Sequence, residues 1–573
     1  MAALTINSAR IPSGETPVQG VPLEPYVLVR RSDNSSCNAE EVPEEGSGDA
    51  RFSLRFRWYR SVVNRGGAVC FFHQDREATI QCILCLRSKV ETRKSYTCST
   101  DCLRQHWVVH KELHANAGHG PLAKNENGFT SDTSLKASHT FSNGGETWIE
   151  VGKGRLYTPC AEDVGTVLKC EVAAIDSASA FGELGKTFSV STSRVRPAPS
   201  PPKRSLTPVP PPKNVVTTGK FTALTYNLLA DLYATAEQFS YCQPWMLAWG
   251  YRKQNLLKEL LAYHADILCL QEVQSNHFTE FLAPELQKHG YTAIYKKKTT
   301  EIYTGSAYAI DGCATFFRRD RFALVKKYEV EFNKAALSLS DAIPADQRKA
   351  ALNRLLKDNV ALIAVLEALD PPHPEAAAAG RRQLICVANT HIHANPELND
   401  VKLWQVHTLL KGLEKIAASA DIPMLVAGDF NSVPGSAAHS LLVKRCVDPG
   451  HPELANDPLG ILRPPAKLQH TLPLASAYAA AADTRDPDGR RRMRLDPKHH
   501  EPKFTNVGKD FKGTLDYILY TTDSLAPVAT LELPDESEVQ RGKHSGLPNE
   551  HWSSDHIALM AEFVYRVPGG PPG

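Results

Sequence analysis

The stretch IPMLVAGDFNSVPGS, residues 422–436, places an acid and an amide directly after an apolar run. The run from Ile422 to Ala427 has the length and composition of a buried strand. Asp429 and Asn431 follow it and are two residues apart. Because side chains alternate along an extended segment, the spacing predicts that both point into the same cleft, with Gly428 keeping the backbone slim there.

Apolar runs that end in metal-capable side chains recur through the C-terminal part of the chain. The other such segments are FTALTYNLLAD with Asn227, ADILCLQEV with Glu272, LICVANTHIHANPE with His391 and GTLDYILY, which carries Asp516. A sixth segment, HWSSDHIALMAEF, places Asp555 and His556 just ahead of an apolar strand. A lone Asp after a strand is usually a turn or a helix cap, but turns do not explain the whole set. Carboxylate oxygens suit Mg²⁺, and imidazole and amide groups suit a phosphate. The set therefore predicts metal-assisted hydrolysis of a phosphodiester.

These motifs resemble the endonuclease–exonuclease–phosphatase superfamily, from about Phe221 to Tyr565. The resemblance implies an α+β fold, in which the nuclease domain is a DNase I-like four-layer α/β sandwich of two packed sheets flanked by helices. A β-sandwich-like region with a small zinc finger would precede it. The residues that the resemblance implies for Mg²⁺ are Glu272, Asn227 and Asp555.

The same resemblance implies roles for the remaining residues. Asp429 orients or deprotonates the attacking water, and Asn431 contacts the phosphate. His556, held by Asp516, faces the charge that develops on phosphorus. His391 is a further phosphate contact.

Longer segments are similar to the carbon catabolite repressor protein 4 deadenylases within this superfamily. They are NLLADLYA (227–234), YCQPWMLAWGYRKQNLLKEL (241–260), GCATFFRRDRF (312–322), LNRLLKDNVALIAVLEA (352–368), NTHIHANPELNDVKLWQ (389–405) and FTNVGKDFKGTLDYILY (504–520). The resemblance implies a 3′–5′ poly(A) exoribonuclease that uses two Mg²⁺ and releases AMP. Pro396 and Phe511 would hold an adenine between them.

The implied partners are poly(A) RNA, a partner deadenylase and the NOT-type scaffold of a deadenylation complex. Because one scaffold hosts many hydrolases, two other functions stay open. One is a 2′-phosphodiesterase or nucleotide phosphatase of the same superfamily. The other is an inert nuclease-fold scaffold, against which the intact set of site residues argues.

A proline-rich segment divides the chain of 573 residues. Eight of the eighteen residues 196–213 are proline, which predicts a semi-rigid linker over 196–218 before a nuclease domain at 219–573. In that domain, an Ala/Pro-rich stretch at 369–382 separates two apolar runs, which predicts a β-hairpin with a long tip.

The N-terminal part has β-rich sequence on both sides of a cysteine-rich region. The segment RFSLRFRWYRS (51–61) alternates in polarity, and residues 147–176 form short strand-like runs between turns. We therefore expect a β-rich region at 1–69, a zinc finger at 70–114 and an immunoglobulin-like β-sandwich region at 139–195. The zinc finger would be an insertion if both β regions belong to one sandwich. Two unrelated β pieces are the alternative.

The cysteine-rich region has metal-ligand spacing. Two pairs, Cys82 with Cys85 and Cys98 with Cys102, could together bind one structural Zn²⁺. His106, His110 and His114 follow at helical spacing, so they could share one face and bind a second ion with His73 or Cys70. The alternative for that second site is a helix with surface histidines.

The segment YTCSTDCLRQHWVVHKELH (96–114) resembles the C-terminal half of a MYND zinc finger. It departs from the family because residues 86–97 contain no cysteine and His114 stands at the last ligand position. MYND fingers usually bind short proline-containing peptides. The resemblance thus implies that this finger docks such a peptide of the partner deadenylase.

The composition of the chain gives evidence about nucleic-acid binding, targeting and the cellular compartment. The net charge of +2 gives no strongly basic signature of nucleic-acid binding, although one charged groove could be hidden in a balanced total. The N-terminal residues lack the features of a signal peptide, and no apolar run is long enough to span a membrane. Thirteen cysteines with a tight cluster indicate a reducing compartment, so we expect a cytoplasmic protein that can also be nuclear.

Overall fold

The computed structural model describes residues 4–11, 16–31, 33–45, 51–62, 70–73, 78, 80–82, 85, 92–116, 140–143, 146–176, 183–209, 217–304, 308–339, 343, 345–369, 382–419, 422–458, 460, 462–482, 489–540 and 545–566. The chain folds as two compact units, Met1–Pro199 and Ser200–Gly573. In the part of the chain that is described, no helix has both the length and the apolar character needed to cross a membrane.

The first unit is mainly β-structure. Its strands are β1 (Thr5–Arg10), β2 (Tyr26–Arg30), β3 (Ser36–Asn38), β4 (Phe52–Val62), β5 (Ile80–Gln81), β6 (Tyr96–Thr97), β7 (Thr140–Asn143), β8 (Glu146–Lys153), β9 (Val167–Asp176), β10 (Glu183–Leu184) and β11 (Phe188–Arg194). Its helices are α1 (Thr100–Gln105) and α2 (Trp107–Asn116). Strands β1, β2 and β3 form one sheet, and β10, β9, β4, β8 and β7 lie in that order in another, with β11 also paired to β9.

These two sheets enclose one apolar core, as the predicted sandwich requires. Val27 and Val29 of the small sheet belong to the same buried cluster as Phe56, Trp58 and Cys170 of the large sheet. Strand β4 pairs with both β8 and β9. The two β-rich regions are therefore one sandwich, the Cys/His region is inserted between β4 and β7 of its large sheet, and the alternative of two unrelated pieces is wrong.

The second unit contains the remaining strands. They are β12 (Leu206–Pro208), β13 (Thr217–Asn227), β14 (Ile267–Gln271), β15 (Tyr291–Lys297), β16 (Ile302–Tyr303), β17 (Tyr308–Ala309), β18 (Gly312–Arg318), β19 (Phe322–Glu331), β20 (Val360–Ala368), β21 (Leu384–His391), β22 (Met424–Asp429), β23 (Leu474–Ser476), β24 (Asn506–Val507), β25 (Lys512–Gly513), β26 (Asp516–Thr521), β27 (Leu525–Leu531) and β28 (Leu559–Arg566).

Its α-helices are mostly short. They are α3 (Pro244–Leu247), α4 (Trp249–Tyr263), α5 (Ser275–His277), α6 (Ala283–Lys288), α7 (Phe332–Ser338), α8 (Ala345–Leu355), α9 (Asn399–Ser419), α10 (Ala437–Lys444), α11 (Ala477–Ala480), α12 (Arg490–Met493) and α13 (Glu536–Val539). The predicted hairpin is confirmed, since β20 and β21 pair antiparallel on either side of its tip.

Two large sheets form the centre of this unit. The first has the order β12-β27-β28-β13-β14-β18-β15, and the second has the order β19-β20-β21-β22-β26-β23. One apolar cluster joins them face to face and includes Phe221, Ile267, Val387 and Ile518. Separate clusters pack helix α4 on the first sheet and helices α9 and α10 on the second. The predicted four-layer sandwich is confirmed.

The predicted linker at 196–218 is shorter in the structure. Val195 and Arg196 still bridge to the first unit, whereas β12 pairs with β27 as an edge strand of the second. Arg204 is enclosed by that unit and donates to the carbonyl oxygens of Glu532 at 2.7 Å and Ala558 at 2.9 Å. The second unit therefore begins near Ser200 rather than at residue 219. A local proline count cannot anticipate this, because the contacts are to residues more than three hundred positions away.

Candidate functional site

The central strands of both sheets bring their carboxyl ends to one place. Strands β13 and β14 run parallel, with Asn227 opposite Gln271, and β21 and β22 run parallel, with His391 opposite Asp429. The carboxyl ends of parallel strands open onto one edge of a sheet, where ligands commonly bind. Asp516 starts β26 opposite Asp429, and Asp555 and His556 lie just before β28. The structure thus brings together the polar residues that the sequence predicted at the strand ends.

Asn227 links the two sheets at this edge. Its Nδ2 donates to Oε1 of Glu272 and to Oδ2 of Asp429, each at 3.0 Å. Its Oδ1 accepts from the backbone N–H of Leu229 at 3.0 Å. The amide nitrogen of Asn227 therefore faces the two carboxylates and positions them, and the binding of a metal by Asn227 stays a prediction.

Asp429 lies between two imidazoles. Its Oδ2 is 3.6 Å from Nε2 of His391 and 3.6 Å from Nε2 of His556. His556 Nδ1 lies 2.8 Å from Oδ2 of Asp516, which fixes the orientation of the ring. Burial, together with the charge of Asp516, raises the pKa of Asp429 to about 7. A carboxylate in this range can hold or release a proton near neutral pH.

The two histidines carry opposite pKa shifts. Burial would lower the pKa of His556, but the charges of Asp516, Asp555 and Asp429 raise it well above the ordinary value. Burial, aided by the positive charge of Lys298, lowers the pKa of His391 well below it. His556 is thus the cationic imidazole of the site, and His391 is the neutral one.

The site has unsatisfied oxygen atoms that suit a cation. Asp516 Oδ1 and Asp555 Oδ1 are buried and have no hydrogen-bond partner among the described residues. Asp429, Asp516 and His556 each place a ligand atom within 4.8 Å of the others. Burial, then the charges of Asp555 and Asp311, raise the pKa of Glu272. This concentration of carboxylates fits a divalent ion that prefers oxygen ligands, such as Mg²⁺.

Three residues other than glycine adopt left-handed backbone conformations at the site. Their φ angles are 59° at Leu229, 51° at Glu272 and 46° at Asn431. The extended geometry predicted from Asp429 to Asn431 is therefore wrong. Asn431 instead turns back, so that its N–H donates to Asp429 Oδ1 at 2.9 Å and its Nδ2 donates to the carbonyl of Ile392 at 2.8 Å. Such conformations cost energy and cluster where function demands a fixed geometry.

Gly428 has the predicted role of keeping the backbone slim. Its φ is +147°, and a Cβ atom there would lie 2.1 Å from the carbonyl oxygen of Thr390. Strands β21 and β22 could not approach at this point if Gly428 carried a side chain.

The two predicted base-binding residues lie on exposed loops. Phe511 is 41% exposed, next to the β24–β25 ribbon, where Asn506 donates to Asp555 Oδ2 at 3.0 Å. Pro396 is exposed between β21 and α9. Their function in base binding stays a prediction.

Sequence reasoning did not identify several polar groups of the site. Lys298, within a run of lysines, is buried and lies 2.9 Å from Asp311 Oδ2. Lys402 Nζ donates to the carbonyl of Asn431 at 2.7 Å and so secures the turn. Gln271 donates to Asn389 Oδ1 at 2.8 Å across the two sheets, directly beneath the site. An amide inside the apolar run of β21 was the only local hint for Asn389.

The first unit contains two Cys/His groups with metal-ligand geometry. One group is Cys70, His73, Cys98 and Cys102, and the other is Cys82, Cys85, His110 and His114. His73 Nδ1 lies 3.3 Å from Cys102 Sγ and 3.5 Å from Cys98 Sγ. His110 Nε2 and His114 Nε2 lie 3.2 Å and 3.1 Å from Cys85 Sγ. Tetrahedral Zn²⁺, with bonds of about 2.0–2.3 Å, requires similar ligand separations.

The prediction that Cys82, Cys85, Cys98 and Cys102 form one site is wrong. Strands β5 and β6 pair antiparallel, with Ile80 opposite Thr97, so Cys82 and Cys98 leave the ribbon at opposite ends. Each cysteine pair must therefore join histidines from elsewhere. His106 lies between α1 and α2, stacks on Phe72 at 4.4 Å and belongs to neither group, although its Nδ1 lies 4.0 Å from Cys102 Sγ.

The crowded thiols in these groups would ionise more readily beside a cation. Burial and the neighbouring Cys82 raise the pKa of Cys85 to about 11. Burial would raise the pKa of Cys70 as well, but the N–H and ring of His73 lower it to about 6. Zn²⁺ would allow all the thiols in each group to ionise.

Comparison with known proteins identifies relatives of the second unit and of the whole chain. Residues 224–556 match the model of the Endonuclease/Exonuclease/phosphatase family. The chain is 49% identical over 601 aligned residues to carbon catabolite repressor protein 4 homolog 2 of Arabidopsis thaliana, covering 98% of each chain.

More distant relatives match about three fifths of the chain. A CCR4-Not complex 3′-5′-exoribonuclease subunit Ccr4 of Mycosarcoma maydis is 33% identical over 376 residues, which are 61% of this chain and 51% of that one. The crystal structure of ANGEL2, described as a 2′,3′-cyclic phosphatase, is 29% identical with a TM-score of 0.47, covering 64% of this chain and 100% of that one.

Proposed function

Because the chain belongs to the carbon catabolite repressor protein 4 branch of the endonuclease/exonuclease/phosphatase family, a family of hydrolases, we propose that it is an Mg²⁺-dependent 3′–5′ poly(A) exoribonuclease. It would shorten mRNA poly(A) tails and release AMP. The observation that carries this proposal is the convergence of Glu272, Asp429 and His556 at one strand-end edge, where Asn227 bonds the first two.

The residues have distinct tasks in this proposal. Asp429 holds the attacking water and takes its proton, for which a pKa of about 7 is suitable. His556, kept cationic by its carboxylate neighbours, stabilises the negative charge that develops on the phosphate. Asp516 orients that imidazole through the 2.8 Å contact.

The metal side comprises Glu272 and Asp555, with Asp516 Oδ1 also available. Mg²⁺ held there, two ions in this proposal, would polarise the phosphate and make a bound water more acidic. Asn431 and His391 would contact the phosphate, and Pro396 with Phe511 would hold the released adenine.

We further propose that the Cys/His region is a structural MYND-like finger with two Zn²⁺ that docks a proline-containing peptide of the partner deadenylase. Support comes from the two ligand groups and from Trp107 and Val109, which are 39% and 54% exposed on α2. The fungal relatives are named as subunits of the CCR4-Not complex, which supports a NOT-type scaffold as a further partner. Thirteen free cysteines are consistent with the reducing cytoplasm or nucleus, where we place the protein.

The activity is tested with the full-length protein and Mg²⁺. The substrates are 5′-labelled RNAs that end in oligoadenosine, oligouridine or oligocytidine, and the products are separated on gels. We expect shortening of the adenosine tail alone, its loss in Glu272→Ala, and its retention in the control Glu280→Ala, whose side chain is exposed.

Equal loss of all three tails would refute poly(A) specificity. No shortening of any tail would refute the exonuclease, and 2′,5′-linked oligonucleotides and small phosphates would then be the substrates to test. A pull-down of the partner deadenylase that is unchanged by both Cys98→Ala and Trp107→Ala would refute the docking proposal.

A further inference from the structure

A polar cleft adjoins the metal side of the candidate site. Its volume is about 480 Å³, enough for a nucleotide. Residues along its walls include Asp231, Gln274, Asn276, Thr279, Lys297 and Tyr308.

Two hydrogen bonds from backbone N–H groups connect one wall of this cleft to the segment that contains Glu272. The N–H of Ala230, one residue before Asp231, donates to Glu272 Oε2 at 3.0 Å. The N–H of Leu232 donates to Gln274 Oε1 at 3.1 Å. The loops that hold Glu272 are therefore the loops that form the cleft, and a strand bound at the catalytic carboxylates would pass directly into it.

A pair of exposed tyrosines lies at the rim. Tyr303 and Tyr308 face each other across the β16–β17 ribbon, with ring centroids 5.2 Å apart at 54°. Tyr303 is 60% exposed and Tyr308 is 71% exposed. Core packing does not require rings in such positions. Exposed aromatic faces beside a nuclease site are suited to stacking the bases of single-stranded RNA.

The lining suits a neutral base better than a phosphate. Lys297 Nζ lies 3.9 Å from Glu301, and Asp231 adds another negative charge, so the cleft has no excess of positive charge. Gln274 Nε2 donates to Asn276 Oδ1 at 2.9 Å, which leaves the Nδ2 group of Asn276 on the side away from Gln274. Side-chain amides recognise adenine by pairing with its N6 and N7 atoms.

We propose that this cleft is a second base subsite, which binds the adenine of the retained RNA next to the nucleotide being released. Tyr308 stacks on that base, and Asn276 reads its edge. The inference rests on the proposed function. The β24–β25 ribbon beside Phe511 is hydrogen-bonded to Asp555, whereas the loop that lines this cleft is hydrogen-bonded to Glu272. The two base sites are therefore connected to different carboxylates of the candidate site.

The test uses the full-length protein with Mg²⁺ and two RNAs. One ends in oligoadenosine, and the other has a single uridine at the second position from the 3′ end. We expect the wild type to remove the last nucleotide of the second RNA at least about tenfold less efficiently. Tyr308→Ala should raise KM for the oligoadenosine RNA about five- to a hundredfold with kcat nearly unchanged, and Tyr308→Phe should restore KM.

Two further variants test whether the effects are specific to this cleft. Asn276→Ala should remove the penalty for uridine at that position. Leu324→Ala is the control, because Leu324 is 40% exposed on β19 and pairs with Leu366, towards the end of the sheet away from Asp429. Its KM should equal that of the wild type.

The outcomes distinguish a failure of the subsite proposal from a failure of the exonuclease proposal. If the wild type shortens the tail but Tyr308→Ala and Asn276→Ala behave like it, the subsite is refuted and the exonuclease stands. An equal rise in KM for Leu324→Ala also refutes the subsite. If the wild type shortens no tail, both proposals fall.

Discussion

His556 Nδ1 lies 2.8 Å from Asp516 Oδ2, and this contact joins the two sheets of the nuclease unit at its candidate site. Asp516 begins β26 in the second sheet, and His556 precedes β28 in the first. The imidazole is thereby fixed, with Nε2 towards Asp429. The charge on His556 depends strongly on this partner.

Asp516→Asn keeps the size of the side chain and removes its charge. We expect kcat to fall about 10²–10⁴-fold with a small change in KM, because His556 loses the group that orients and charges it. Single-turnover cleavage of an oligoadenosine RNA measures the loss. Asp523→Asn, in the exposed turn after the same strand, is the matched control. A kcat for Asp516→Asn equal to that control would contradict this role.

Asp429 should make the metal-free protein less stable as the pH rises. Its pKa of about 7 in the folded state lies above the ordinary value of 3.8. Between these values the folded state holds a proton that the unfolded state has lost, so the stability that Asp429 contributes decreases with increasing pH. Asp429→Asn should flatten the fall in Tm between about pH 4 and 7, and Mg²⁺ should offset it in the wild type.

Melting curves in EDTA and in Mg²⁺ measure this effect, with Asp523→Asn as the control. An identical pH dependence of Tm for wild type and Asp429→Asn would show that Asp429 is already ionised in the metal-free fold.

The nuclease unit should need the segment that precedes its predicted boundary. We expect a fragment of residues 200–573 to fold and a fragment of residues 217–573 to melt at lower temperature, since the shorter one lacks β12 and Arg204. In the full chain, Arg204→Ala should cost about 1–3 kcal/mol of unfolding free energy, because it loses charged hydrogen bonds to two backbone carbonyls, of which that of Ala558 is in a buried residue.

Chemical denaturation of the two fragments and of the variant measures these differences. Arg319→Ala, an exposed arginine of the same unit, is the control and should cost little. Equal stability of both fragments would mean that the segment 200–216 is only a linker.

The two Cys/His groups should bind zinc independently. We expect two Zn²⁺ per chain by elemental analysis and one in each of the variants Cys98→Ser and Cys85→Ser. The double variant should contain none. If one site combined both cysteine pairs, each single variant would lose the same ion and the double variant would lose nothing more. That result would contradict the grouping.

The sequence was most informative where the signal was local. Polar residues at the ends of apolar runs predicted the positions of Glu272, Asp429 and Asp516 correctly, because strand length and polarity are encoded in neighbouring residues. The same reasoning failed at Asn431, whose left-handed turn is stabilised by Lys402 and Ile392 rather than by adjacent sequence.

Non-local contacts account for the other differences. Arg204 lies in a proline-rich stretch that resembles a linker, yet its partners come from the last part of the chain. Similarly, the spacing of Cys82, Cys85, Cys98 and Cys102 predicts ligands but not their grouping, which depends on the antiparallel pairing of β5 and β6.

The position of the Cys/His insertion also affects how this architecture can change in evolution. The chain leaves the large sheet after Val62 of β4 and returns to it in β7, which only β8 separates from β4. A module attached at two neighbouring points can be lengthened, exchanged or replaced by a tight turn without changing the register of the sheet. The Cys/His region can therefore diversify while the sandwich that carries it keeps its strand pairing.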